Sequence, residues 1–316
     1  MVYKGYPMET NISFNHLLDA SLRRFFLDAL RVCLKHPPQA ASLLRTVFHQ
    51  SRAARRRAAW WKRGLHVPPI MICSVTNRCN LSCKGCYARI LRPARGAELS
   101  GARLREILGE AEELGIRFLV IAGGEPFLRP DLLELTRAFP RLLFLVFSNG
   151  LLIQAKTVHE LARQRNVVPV LSLEGYAEDT DLRRGNGVYS RLQALLPQLK
   201  RRGIFFSVSL TVTRGNLASV TEERFIRGLV QRGCRLFFFI EYSPIKEGTE
   251  GELEPCPFVP YSDVNLSSTS LREALRSDFL RAIRENGGQL RENHGGCTLW
   301  AQREWVRSLL PGREVR

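Results

Sequence analysis

The chain has 316 residues, of which 45% are hydrophobic and 24% charged, with a formal net charge of +17. This length can bury a large core, and the composition excludes a disordered or fibrous protein. No apolar run reaches 18 residues, and Met1–Thr10 lacks the charged-then-apolar order of a secretory signal, so a cytoplasmic protein is expected. Eight cysteines in that setting point to ligand use rather than to disulfides.

The charge is uneven. Residues 1–68 hold twelve Lys/Arg against three acids, a net +9 of the total +17. A helix is expected over 13–34, where Phe14, Leu18, Leu22, Phe25, Phe26 and Leu30 recur at helical spacing until Pro37-Pro38. A second helical stretch carries Leu43, Leu44, Val47 and Phe48, then Arg55-Arg56-Arg57 and Trp60-Trp61. One reading is a helical pair packed on the main domain with solvated arginines. The other is an interfacial segment that meets an anionic membrane surface, which would make the protein peripheral. Nucleic acid is disfavoured, because the aromatic interleaving is confined to Trp60-Trp61.

From Pro69 the texture becomes a regular alternation of strands and helices. Strands are expected at 69–75, 117–122, 142–147, 167–173, 204–213 and 235–243, nearly continuous in apolar character as in a parallel sheet covered by helices. Ser100 is a candidate cap for the helix that Gly115 stops, and Thr221 for the one that Gly233 stops; Pro197 should kink or shorten the helix near 188–202. The first strand runs into Cys79-Asn80-Leu81-Ser82-Cys83-Lys84-Gly85-Cys86-Tyr87. Three thiolates at C-x3-C-x2-C suit an iron–sulfur cluster or zinc. Structural zinc normally takes four protein ligands, and His66 precedes the strand while the next histidine is His159.

Four further motifs fall at strand ends. Gly123-Gly124-Glu125-Pro126 follows strand two, 37 residues after Cys86, and its glycines allow a close approach to a ligand. Ser148-Asn149-Gly150 follows strand three, Leu171-Ser172-Leu173-Glu174-Gly175 ends strand four, and Asp181-Leu182-Arg183-Arg184-Gly185 comes next. Strand five alternates hydroxyl and apolar residues from Ser207 to Thr213, so its hydroxyls can face one side.

The cysteine spacing, the aromatic Tyr87 after the third cysteine and the Gly123-Gly124-Glu125 turn resemble the radical SAM enzymes. That resemblance implies an α/β fold, a partial parallel (β/α)6 barrel over 69–245; the basic helical N-terminal extension over 1–68 stands outside it. It implies a 4Fe-4S cluster on Cys79, Cys83 and Cys86, with one iron left open for S-adenosylmethionine. Tyr87, Gly123, Gly124, Glu125, Ser148, Asn149, Ser172, Glu174 and Arg184 take cofactor-binding roles by the same resemblance: the Gly-Gly-Glu turn for the methionine amine, Ser172 and Glu174 for the ribose, and Arg184 for the methionine carboxylate. The implied chemistry is reductive cleavage to a deoxyadenosyl radical, driven by an electron donor such as a flavodoxin or ferredoxin. The residue that acts on substrate is not legible.

Residues 246–316 are less regular. Gly251 and Cys256 stand as G-x4-C, Ser270 and Glu273 form a capping box before Leu271, Leu275, Phe279 and Ile283, and Cys297 follows. This resembles a shortened SPASM or twitch extension, in which Cys256 and Cys297 would hold an auxiliary iron–sulfur cluster; two free cysteines are the competing reading. No Cys lies between Cys234 and Cys256, and the helix expected after strand six is missing. The extension implies a peptide or protein substrate, and the basic N-terminus a lipid or membrane-bound one. A non-catalytic iron–sulfur or zinc scaffold is the third reading.

Overall fold

The computed structural model describes residues 37–86, 88–89, 98–242, 255, 259, 261–290 and 298–310. The helix expected over 13–34, Tyr87, Cys256 and Cys297 lie outside these residues.

Six strands form one sheet: β1 (Ile70–Ser74), β2 (Phe118–Ala122), β3 (Leu143–Ser148), β4 (Val167–Leu173), β5 (Ser207–Val212) and β6 (Leu236–Glu241). They stand in chain order and every neighbouring pair is parallel, so the sheet is the expected half-barrel. Side-chain alternation divides each strand between two environments. Leu119, Ile121, Phe144, Val146, Leu171 and Leu210 join the main core beneath the helices. Phe118, Leu145, Val168 and Val170 form a separate cluster on the opposite, concave face.

Helix α1 (Pro37–Trp61) begins on the proline pair, which the first turn of a helix tolerates. Its Val47 packs on the concave cluster, beside residues from the N-terminal halves of the strands, so α1 lies across the barrel floor. Its far end meets α2 (Gly101–Leu114), which Ser100 caps through the Arg103 amide (3.1 Å) and Gly115 ends at φ 95°. The unsatisfied carbonyls at that C-terminus attract cations. Buried Arg57 donates to Gly115 O (2.6 Å), and Arg56 donates to Glu112 O and Glu113 O (3.3 and 3.1 Å). Trp60 is half-buried against the core, with the guanidinium groups of Arg63 and Arg272 over its ring. Two of the three arginines in the Arg55-Arg56-Arg57 run therefore close a helix end, and α1 packs on the barrel. Arg57→Met is expected to lower stability in urea unfolding by about 1.5–3 kcal/mol, the range for a hydrogen bond to a charged group. Exposed Arg55→Met should stay within about 0.5 kcal/mol.

The remaining crossovers are α3 (Leu132–Ala138), α4 (Ala155–Arg163), α5 (Ala177–Arg184), α6 (Val188–Arg201), α7 (Leu217–Thr221) and α8 (Glu223–Gln231). Pro197 does not break α6, because Leu192, Leu195, Leu196 and Leu199 bury around it and hold the helix to the sheet. Thr221 is no cap: it ends α7, and its hydroxyl donates to Leu217 O (2.7 Å). The capping box at Ser270 and Glu273 forms, but the single helix expected behind it is two. Helix α9 (Leu271–Ala274) stops before Ser277, whose hydroxyl caps α10 (Asp278–Glu285). Residues 264–275 belong to the main core, because Glu110 on α2 accepts the Leu271 amide (2.7 Å) and Arg103 donates to Leu266 O and Thr269 O (both 2.8 Å). Beyond them, α11 (Thr298–Ala301) and α12 (Arg303–Ser308) build a small separate cluster around Val259, Phe279 and Val306.

Candidate active site

The loop that leaves β1 carries Cys79, exposed, and Cys83 and Cys86, both half-buried. Burial pushes the Cys79 and Cys83 thiols up, and negative charge on the neighbouring cysteines adds to this, so the three sulfurs share one locale. The root of the loop is braced from several sides. Gly124 N donates to Thr76 O (2.7 Å) and Glu125 N to Arg78 O (2.8 Å). Glu98 accepts from the Thr76 hydroxyl (2.6 Å) and the Asn77 amide (3.1 Å), and Arg129 donates to Val75 O (2.9 Å) and Leu99 O (3.0 Å). The two glycines are required by this closeness. A Cβ on Gly123, where φ is 117°, would lie 2.3 Å from Thr76 O, and one on Gly124 would lie 2.1 Å from Arg78 O.

Glu125 is tied into the ends of the strands. Its side chain is buried: one carboxylate oxygen accepts from Phe127 N (3.1 Å) and the Ser148 hydroxyl (2.8 Å), the other from Asn149 N (2.8 Å). Burial raises its pKa although all three bonds favour the carboxylate. It therefore pins the end of β3 to the end of β2, and the half-exposed part of this turn is the backbone of Gly123 and Gly124. Asn149 extends the brace by donating from Nδ2 to Asn80 Oδ1 (2.7 Å) in the cysteine loop.

Across the mouth, Glu174 is buried at the end of β4. One of its oxygens takes Arg183 Nη1 (2.5 Å) together with Nε and Nη2 of Arg184 (2.9 and 2.5 Å). The other oxygen is buried with no partner among the described residues. Two guanidinium groups on one carboxylate leave a local positive surplus beside Cys83, suited to an anionic group, while the vacant oxygen awaits a donor. Arg184, assigned to a ligand carboxylate from the sequence, is engaged with Glu174 here. Arg183 also binds the cysteine loop: Lys84 N donates to Arg183 O (2.8 Å), Arg183 Nε donates to Lys84 O (3.3 Å), and its guanidinium lies over the Tyr242 ring. The Tyr242 hydroxyl sits where a Cβ on Gly85 would be, 2.5 Å away. The end of β6 thus touches the loop that follows β1.

Sequence reasoning missed Asn80, Glu98, Arg129, Asn216 and Tyr242. Asn216 donates from Nδ2 to Glu174 O (2.8 Å) and Thr211 O (2.9 Å), and so locks the ends of β4 and β5 together. A buried asparagine behind a strand is a signal that could have been read. Ser172 pairs in register with Ser209 on the concave face.

The radical SAM superfamily model matches residues 73–219, which span β1 to α7 and hold the whole of this constellation except Tyr242. The chain carries a radical SAM domain. Its relatives include pre-heme d1 synthase of Dinoroseobacter shibae, 33% identical over 49% of this chain and 39% of that protein. PqqA peptide cyclase of Ruegeria pomeroyi is 31% identical over 53% of this chain and 46% of that one. The radical SAM domain thus aligns with less than half the length of either relative. Among solved structures, Streptococcus suis SuiB bound to its precursor peptide SuiA superposes with a TM-score of 0.53 at 18% identity, covering 80% of this chain and 55% of SuiB, a likeness of fold.

Radical SAM enzymes use a 4Fe-4S cluster and S-adenosylmethionine. The residues of this domain fit that pair. Three thiols share one loop, and the vacant Glu174 oxygen lies with two arginines beside Cys83. Among the described residues no three His, Cys, Asp or Glu side chains converge on a single ion. Thiolates on a cubane each take a different iron and stand further apart than the ligands of one zinc. Arg184→Lys is expected to weaken S-adenosylmethionine binding about tenfold or more and to leave the cluster spectrum intact, through loss of charge-assisted contacts worth roughly 1.5–3 kcal/mol. Arg183→Lys, which loosens the Lys84 contacts, should disturb the cluster spectrum first; anaerobic titration followed by electron paramagnetic resonance reads both.

Proposed function

We propose that this chain holds a 4Fe-4S cluster on Cys79, Cys83 and Cys86, binds S-adenosylmethionine beside it, and starts radical chemistry on a peptide. The observation that carries the cofactor reading is the convergence on one loop of three thiols and the Glu174–Arg183–Arg184 group, with one buried carboxylate oxygen left for a ligand. When bound, the two cofactors supply a deoxyadenosyl radical able to take hydrogen from a substrate. The chain's own part is to orient and to enclose. The Gly123–Gly124 backbone is the half-exposed surface for the methionine amine, and the arginine pair supplies positive charge for its carboxylate. Glu174 and Ser172 offer acceptors toward the ribose. Glu125 and Asn149 hold the turn and the cysteine loop in register rather than meeting the ligand through their bonded atoms.

The peptide reading draws on the PqqA peptide cyclase relative and on the SPASM-like spacing of Gly251, Cys256 and Cys297. An electron donor of the flavodoxin or ferredoxin kind is the partner it requires. Among the described residues no helix is long and apolar enough to cross a membrane.

Anaerobic purification and reconstitution test the reading. Iron and sulfide near four per chain indicate one cluster, and near eight add the auxiliary cluster on Cys256 and Cys297. Dithionite with S-adenosylmethionine should then yield deoxyadenosine and methionine. Zinc without sulfide would reject the cofactor reading and leave a scaffold. Turnover of a haem precursor or a lipid in place of peptides would move the substrate and keep the cofactors.

A further inference from the structure

The six strands are IMICS, FLVIA, LFLVFS, VVPVLSL, SVSLTV and LFFFIE, and they contain one Asp, Glu, Lys, Arg or His between them, Glu241. Glu241 is two residues beyond Phe239, which is itself two beyond Phe237, and Phe237 packs on the helix-facing core. Alternation therefore puts Glu241 on the convex side. Among the described residues, the strands put no charge on the concave face below Glu174 at the rim.

What it does carry is apolar and partly open. Phe147 and Phe238 meet at 5.5 Å between ring centroids, and Val120 joins the same cluster. Ile72 stands in register with Val120 and is 50% exposed, and Ile240 is half-buried. Exposed apolar side chains on a concave face mark a place that receives apolar matter. Toward β4, β5 and β6 this surface gives way to hydroxyls: Ser172 is in register with Ser209, and Thr211 with Ile240. Below, Val47 of α1 packs on the apolar cluster, and the charges at that end, Arg45, Arg117 and Arg141, stand around His49 at the foot of the strands.

A charged side chain placed against these strands would lose its water and find no counter-charge on them, whereas an aliphatic or aromatic one would gain contact area. We propose that the reacting residue of the substrate is uncharged, an aliphatic or aromatic side chain seated on Ile72, Val120, Phe147 and Phe238, with Ser209 and Thr211 available to a neighbouring peptide group. This rests on the peptide reading above and narrows its substrate class. Lysine, arginine, aspartate and glutamate are excluded as the residue that enters, although the flanking positions of a peptide can carry them to the charged rim.

The experiment uses the full chain, reconstituted and loaded with S-adenosylmethionine. Two pentapeptides of otherwise identical glycine sequence carry a diazirine analogue of leucine or of lysine at the centre, and photolabelled sites are mapped by mass spectrometry. The leucine probe should label strand peptides of β1, β3 or β6 at least about tenfold more than the lysine probe, the discrimination expected of an apolar pocket. Because Ile72 is half exposed, Ile72→Asp should fold, and it should invert the preference. Equal labelling by the two probes, or an unchanged preference in Ile72→Asp, overturns the inference. Deoxyadenosine formation measured in parallel separates the causes: its loss strikes the cofactor reading, whereas labelling by neither probe in a protein that still cleaves S-adenosylmethionine strikes both the peptide reading and this inference.

Discussion

Replacing any one of Cys79, Cys83 and Cys86 with alanine is expected to abolish deoxyadenosine formation and to leave fewer than about one iron per chain after reconstitution. Three thiolates are the minimum that can hold a four-iron cluster with one iron open, so no pair can substitute for the set. The effect should be chemical rather than structural. Cys79 is exposed and Cys83 and Cys86 are half-buried, and the loop backbone is held at Thr76, Arg78 and Lys84 by bonds that do not involve sulfur. Far-UV circular dichroism and urea midpoints of the three variants should therefore match the parent. Cys73 is half-buried on β1 and packs against the helix-facing core, with its thiol pushed up to about 12 by burial, so Cys73→Ala should spare the iron and alter only stability. Deoxyadenosine from any of the three loop variants would count against the ligand assignment.

Gly124→Ala is expected to be nearly as damaging without touching a ligand. Its Cβ would lie 2.1 Å from Arg78 O, 2.6 Å from Arg78 C and 2.9 Å from Asn77 O, all backbone atoms that cannot rotate away. The strand end and the loop root must separate, and Arg78 immediately precedes Cys79. Residues that orient a metal ligand typically change affinity by about 10–100-fold when altered, and a comparable loss of cluster retention against a chelator is expected here. Gly109→Ala is the matched control. Its Cβ meets nothing within 4 Å on helix α2, so it should keep the cluster and gain up to about 1 kcal/mol from helix propensity. Equal chelator resistance in the two variants would remove Gly124 from the support of the loop.

The strands and the cysteine loop were legible because each is a local signal. Apolar runs between turn residues specify buried parallel strands, and three thiols at short spacing have few other uses. Roles that depend on a distant partner were not. Glu125 beside two glycines reads as a ligand contact, yet the hydroxyl of Ser148 and the amide of Asn149 claim it. Arg184 reads as a carboxylate clamp, and its nearest carboxylate is Glu174. Tyr242 gives no hint at all, since only the curvature of six strands brings it to Gly85. Thr221 misled because the residue type that caps a helix also ends one when its hydroxyl finds a carbonyl four residues back.

The contacts of the cysteine loop also bear on the order in which the molecule is assembled. Lys84 waits for Arg183, 99 positions later, and Gly85 for Tyr242, at the end of the last strand. During synthesis the three thiols emerge well before either partner exists, and closing such distant pairs is entropically late. The nascent loop therefore spends the making of the barrel as a bare, oxidisable segment, and a shaped cradle for iron exists only once β6 has docked. A cluster held by these thiols would therefore be loaded after folding, onto a finished barrel, as a guest of the fold rather than its nucleus.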